Sequence, residues 1–222
     1  MKPYSYGSLL LALAASVFSQ QSAVPVEQEP HHHIAFKNDF VLVMRVTIPA
    51  GESTLYHTHS NDRAAVHLTD NTLTFQLPDQ PESAPQEAEI GEISASTRGD
   101  APYTHRVHNV GPGTFEVMDI EFLKRPEKVK STAAAPVAAE NASARIYNWK
   151  LAPGASSPQH THTRPYLIIA ARAMPLGMTG PDGKSLLEEV KPGDFHWIDS
   201  KVTHTLTNEG GFDGQIVEIE LK

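Results

Sequence analysis

Cysteine is absent from this 222-residue sequence. Its absence excludes disulfide bonds, thiolate metal ligands and a cysteine nucleophile, leaving His, Asp, Glu and Tyr to carry any metal or acid–base chemistry. Positive charge is also scarce. Lys and Arg number 18 against 26 Asp and Glu, a formal net charge of -8. A surface that tracks nucleic-acid phosphates or an anionic bilayer needs the opposite balance, so neither is an expected partner. No apolar run reaches the ~20 residues of a membrane span. Sustained 3.6-residue periodicity is missing too, which excludes a helical bundle. Apolar residues make up 40% of the chain, enough for two modest cores and too many for wholesale disorder.

The amino terminus has the pattern of a secretory signal over residues 1–23. Lys2 supplies the positive end, Leu9 to Ala15 begin the apolar stretch, and cleavage fits after Ser19 or Ala23. A secreted or periplasmic protein is the expectation, with an uncleaved amino-terminal anchor as the alternative.

What the sequence does contain is a repeat. Ile48-Pro49-Ala50-Gly51 leads to His57-Thr58-His59, and Leu151-Ala152-Pro153-Gly154 leads to His160-Thr161-His162, 103 positions later. His105 and Asn109 recur as His204 and Asn208, and Asp119-Ile120-Glu121-Phe122 recurs as Glu218-Ile219-Glu220-Leu221, both at an offset of 99. The chain is thus a duplicated domain, with copies at 31–124 and 144–222 and a linker at 125–143. The linker is rich in Ala and Pro, with room for a short helix over 137–141. Asn141-Ala142-Ser143 has the form of a glycosylation acceptor, relevant only in a eukaryotic source. Three prolines between Pro78 and Gln86 mark a long loop. Strand-forming runs such as Phe40–Val46, Phe115–Glu121 and Tyr166–Ile169, punctuated by Gly and Pro, make the fold class all-β.

Side chains at i and i+2 of a strand point to one face. His57 and His59 can therefore converge on one ion, with His105 arriving from a neighbouring strand. His160, His162 and His204 repeat the set. The expected cofactor is a divalent transition metal, and imidazole donors alone do not distinguish Fe, Mn, Ni, Cu or Zn. Asp62 is a weaker alternative donor.

These residues resemble the two motifs of the cupin superfamily. Gly51, His57 and His59, and again Gly154, His160 and His162, match the first, Gly-x5-His-x-His-x3-4-Glu. His105 with Asn109 and His204 with Asn208 match the His-x3-Asn of the second, and Pro192-Gly193 lies near its expected opening. Over residues 38–222 the chain looks like a bicupin. The resemblance implies two tandem double-stranded β-helix (jelly-roll) barrels with a metal inside each. It implies a metal-dependent enzyme, oxygenase-like or lyase-like, on a small anionic or enolisable substrate, or else a non-catalytic ligand-binding or scaffold protein. The fuller motif makes the second copy the favoured active one.

One departure matters. Where cupins place a Glu ligand, the first copy has Arg63-Ala64 and the second Tyr166-Leu167. Three histidines alone leave the metal's full charge to attract an anion. Arg63 either clamps a substrate carboxylate or extends to solvent, and Tyr166 either handles a proton or fills space near the barrel mouth. Of the other histidines, His31 to His33 are expected to be exposed, His67 to face the first cavity or lie buried and satisfied, and His196 to pack on the wall. His108 is out of phase with the ligands. Exposed jelly-roll edges are covered either in a homodimer or by pairing of the two copies within one chain.

Overall fold

Short β-branched and aromatic runs between Gly- and Pro-rich turns leave strands as the only regular structure that buries them. The computed structural model describes residues 22–98, 101–124, 133–199 and 201–222, and shows two barrels built to one plan. The expected signal segment and residues 125–132 of the expected linker lie outside the described residues, apart from Ser22 and Ala23. The first barrel contains β1 (Val24–Pro25), β2 (His32–Lys37), β3 (Val41–Ile48), β4 (His57–His59), β5 (Asp62–His67), β6 (Asn71–Gln76), β7 (Gln86–Ala88), β8 (Ile93–Ser96), β9 (Tyr103–Asn109) and β10 (Phe115–Phe122). The second contains β11 (Ala139–Glu140), β12 (Ala144–Leu151), β13 (His160–His162), β14 (Tyr166–Arg172), β15 (Met174–Thr179), β16 (Ser185–Val190), β17 (Phe195–Ile198), β18 (Val202–Asn208) and β19 (Gly214–Leu221).

Each barrel is a pair of sheets. Strand order β1-β4-β9-β6-β7 opposes β2-β3-β10-β5-β8 in the first, and β13-β18-β15-β16 opposes β11-β12-β19-β14-β17 in the second. Inside the first barrel Val46, Ile48 and Ala65 meet Leu73 and Val107, and inside the second Tyr166, Ile168 and Ala170 meet Met174, Leu176 and Leu206.

β10 and β19 are buried on both faces. Asp119 and Glu121 alternate with Met118, Ile120 and Phe122, and the latter three join one apolar cluster with Val217, Ile219 and Leu221 of the other barrel. The two copies therefore pair within the chain. Gln215 adds a polar tie, its side-chain amide donating to the Gly91 carbonyl at 2.7 Å.

The linker differs from its reading as a short helix. Residues 139–140 form β11, which pairs with Arg145 and Ile146 of β12. Asn141 is buried, its amide donates to the Arg63 carbonyl at 3.0 Å, and its Oδ1 accepts from the backbone of Ser143 and Ala144. That amide is committed to the junction between barrels, which removes it as a glycosylation acceptor.

The repeated Gly and Asn have a mechanical role. Gly51 and Gly154 adopt left-handed φ of 78° and 72°, which favours glycine. Their amides donate to the carbonyls of Asn109 and Asn208, whose side chains in turn donate to Ile48 and Leu151 carbonyls. These bonds fix the turn that launches each His-x-His strand, so the asparagines are braces, not ligands.

Candidate metal centres

β4 and β13 deliver their histidine pairs inward, and antiparallel partners supply the third imidazole at matched register, His57 opposite His105 and His160 opposite His204. All six sequence-predicted histidines are buried.

In the second barrel the three rings close around a carboxylate that the motif does not contain. Glu218, on β19, places Oε2 at 2.9 Å from His160 Nε2, and Oε1 at 3.2 Å from His162 Nε2 and 2.9 Å from His204 Nε2. His160 and His204 approach each other at 3.0 Å, Nε2 to Nε2. Two nitrogens bound at about 2.1 Å to one ion at a right angle would stand about 3.0 Å apart. His160 Nδ1 donates to the Pro158 carbonyl at 2.9 Å, leaving its Nε2 lone pair facing inward. His162 Nε2 and Glu218 Oε1 are buried without a hydrogen-bond partner among the described residues. Inward lone pairs, an orphaned nitrogen and an orphaned carboxylate oxygen fit a divalent ion.

The electrostatics agree. Burial alone would raise the Glu218 pKa, but the close approach of His160, His162 and His204 holds it well below the usual carboxylate range. Burial likewise acts to lower His162, and Glu218 with Glu220 override it, holding the imidazole up to about 9. Tyr166, the residue at the expected Glu position, lies flat on His162 with ring centroids 3.9 Å apart. Burial, then Glu218 and Glu220, push its hydroxyl upward, so it stays a neutral donor at physiological pH. Trp149 donates to Glu218 Oε2 at 2.7 Å.

The first barrel departs at the equivalent positions. Asp119 stands where the second copy has Glu218, and Arg63 where it has Tyr166. Arg63 Nε donates to Asp119 Oδ1 at 2.6 Å, which ties down the carboxylate. Burial would raise Asp119, yet Arg63 and then His59 keep it low. His57 Nδ1 donates to the Leu55 carbonyl and His59 Nδ1 pairs with Glu121 Oε1, each at 2.9 Å. Nε2 of His57, His59 and His105 is buried and partnerless among the described residues. Desolvation, then the charge of His32, drives His57 down to about 3. The histidines open into a cavity of about 240 Å³ that Arg63, His67 and Asp119 also line.

Arg63→Met would leave Asp119 as an uncompensated buried charge and is expected to cost about 3–5 kcal/mol. Chemical denaturation measures this, and Arg63→Met/Asp119→Asn should recover most of the loss.

Other expectations resolve differently. His32, read as exposed, is buried, while His33 is exposed. The polar appearance of the run hid a β2 register that turns His32 inward and leaves His33 and Ile34 exposed. Its signal was Glu29 three residues earlier, which binds His32 Nδ1 at 2.6 Å. Asp62 accepts from Arg98 N and Ser143 Oγ, away from the metal group. His67 does reach the cavity, with Nδ1 3.4 Å from Glu92. His196 is a half-exposed surface partner of Glu188, and His108 pairs with Glu82. Glu218 was visible in the sequence only as part of the repeated Asp/Glu-Ile-Glu block, 14 residues after His204.

No protein-family model matches the sequence, and no curated protein matches it. Solved structures do. AerE from Microcystis aeruginosa is 16% identical over 92% of this chain and 100% of its own, with a TM-score of 0.61. YhaK from Escherichia coli is 11% identical over 85% and 87%, TM-score 0.58. A cupin 2 conserved barrel domain protein from Leptotrichia buccalis is 10% identical over 86% and 88%, TM-score 0.53. Two barrels of one topology, each closing three histidines inside, with these likenesses in shape, give this chain the cupin fold twice in a single polypeptide.

Proposed function

We infer that the protein is an exported, metal-dependent bicupin acting on a small anionic or enolisable molecule, oxygenase-like or lyase-like in its chemistry. The observation that carries metal binding is the set of buried Nε2 atoms without a hydrogen-bond partner among the described residues, those of His57, His59 and His105 in the first barrel and of His162 in the second. Export rests on the signal-like segment of the sequence. When bound, a divalent metal would act as a Lewis acid on a substrate oxygen.

In this reading the substrate binds in the first barrel, rather than in the second copy that the fuller motif favoured. Three features support this. The first barrel's ligand group contains no carboxylate, and Asp119 beside it is already paired with Arg63, so less of the metal's charge is neutralised. The Arg63 guanidinium makes no other hydrogen bond among the described residues, so its remaining N–H groups can take a substrate carboxylate. His67, kept largely neutral by burial and then by Arg63 against the pull of Glu92, lines the same space and can accept a proton. Tyr166 and Trp149 crowd the second centre, which favours a non-catalytic, stabilising ion there.

Elemental analysis after purification without chelators should find close to two transition-metal ions per chain, falling to about one in His160→Ala and in His57→Ala. Oxygen uptake across catechols, flavonols and small keto acids should vanish in His57→Ala and persist in His160→Ala. No stoichiometric metal would sink the reading. Activity lost only in His160→Ala would return the substrate to the second barrel.

A further inference from the structure

Packed against its three repeated histidines, the first barrel holds an imidazole that the duplication does not supply. His57, His59 and His105 recur in the second copy, but His32 does not. β2 pairs with β3 so that His32 opposes Val46. The residue equivalent to Val46 is Trp149, whose indole turns to Glu218, and the pairing of β11 with β12 stops at Ile146.

We propose that His32 is the fourth donor of the first barrel's centre, making it an all-imidazole site of His32, His57, His59 and His105 for a borderline divalent cation of the Cu2+, Ni2+ or Zn2+ kind. This rests on reading the first barrel as a metal site.

Position is the first argument. His32, His57 and His59 each offer a ligand nitrogen within 4.8 Å of the other two, and all three are buried. The His32 and His57 ring centroids are 4.6 Å apart, and His105 stands 4.5 Å from His57 and 5.3 Å from His59. Two nitrogens on one ion at about 2.0–2.1 Å stand roughly 2.9–3.4 Å from each other, so His32, His57 and His59 must draw together and His105, outside their 4.8 Å group, must turn in to complete the set.

Orientation is the second. His32 Nδ1 donates to Glu29 Oε2, which leaves Nε2 as the atom with the free lone pair. His57 and His59 are held in the same way by the Leu55 carbonyl and Glu121. A carboxylate behind an imidazole is the arrangement that orients metal-binding histidines and raises their basicity. Glu29 is itself fixed, accepting from the backbone of Leu55 at 3.0 Å and His31 at 2.8 Å.

The donor chemistry is the third. The two centres differ in kind: three imidazoles and a carboxylate in the second barrel, imidazoles alone in the first. Nitrogen-only sites suit Cu2+, Ni2+ and Zn2+ over Mn2+, whereas a carboxylate widens the choice toward Mn2+ and Fe2+. The amino-terminal arm is thereby built into the site, since β1 pairs with β4 at His57 itself.

Cu2+ binding to the full chain tests this, in a His160→Ala/His204→Ala background that silences the second barrel. The background protein should bind one Cu2+ with the paramagnetic-resonance hyperfine pattern of four nitrogens. His32→Gln should weaken binding by about 10- to 100-fold and shift the pattern to three nitrogens. Glu29→Gln, which keeps the imidazole, should weaken it by less. Unchanged affinity and pattern in His32→Gln, with loss in His57→Ala, would overturn the fourth ligand and leave the metal reading intact. A three-nitrogen pattern in the background protein would overturn it even if His32→Gln did not fold. No Cu2+ binding at all would remove both.

Discussion

Glu218→Gln is expected to cost the second barrel at least about 100-fold in metal affinity, more than loss of a residue that only supports a ligand. The substitution keeps size and shape but removes the charge and one acceptor oxygen from the centre of His160, His162 and His204. It should also act without metal. Glu218 and Glu220 are what hold His162 up to about 9, so with Glu218 neutral that imidazole deprotonates nearer neutral pH. Breaking a buried pair on one side costs about 3–5 kcal/mol, and the metal-free variant should unfold at correspondingly lower denaturant. Calorimetric metal titration and urea unfolding measure the two effects separately. Near-wild-type affinity in Glu218→Gln would mean that the carboxylate is only a hydrogen-bond acceptor for the three rings.

The second large effect is a difference in pH sensitivity between the barrels of the metal-free protein. His57 has its folded-state pKa depressed from 6.5 to about 3 by desolvation and by His32. The unfolded chain therefore binds a proton that the folded barrel refuses. The stability this confers is complete above pH 6.5 and is lost as pH falls toward 3, at a slope approaching about 1.4 kcal/mol per pH unit. His105 is depressed further by burial and by His57, and adds to the same slope. His162 works in the opposite sense. Its raised pKa gives stability that is complete below 6.5 and lost as pH rises through 9. Glu218, depressed, loses its contribution only as pH falls below the ordinary carboxylate value of 4.5. Between pH 6.5 and 4.5 the first barrel should weaken while the second holds. Hydrogen exchange of β4 and β9 against β13 and β18, measured with chelator at pH 7 and pH 5, would show it. Equal loss of protection in both barrels at pH 5 would contradict it.

These predictions separate what the duplication equalises from what it does not. The repeat spacing and the period-two placement of His57 with His59 and His160 with His162 carried the all-β architecture and both histidine sets. Local geometry suffices there, because i and i+2 of a strand share a face whatever surrounds them. The repeated Gly and Asn were equally legible, since both act within a few residues of the turn they fix.

The carboxylates were not legible in the same way. Glu218 and Asp119 occupy one position in the two copies and look interchangeable in the sequence. Only the fold sets Arg63 beside Asp119 and Tyr166 over His162, so that one carboxylate is drawn into an ion pair and the other into the histidines. His32 was hidden for a related reason. A polar tripeptide reads as surface until strand pairing with β3 turns its middle residue inward, onto a carboxylate that covers its outer nitrogen. By itself, the sequence determined two metal-competent barrels, because turns and strand parity are local. Which charges meet at Asp119 and Glu218 was decided only by tertiary structure, because Arg63 and His160 lie 56 and 58 residues from them and burial, not spacing, sets their interaction.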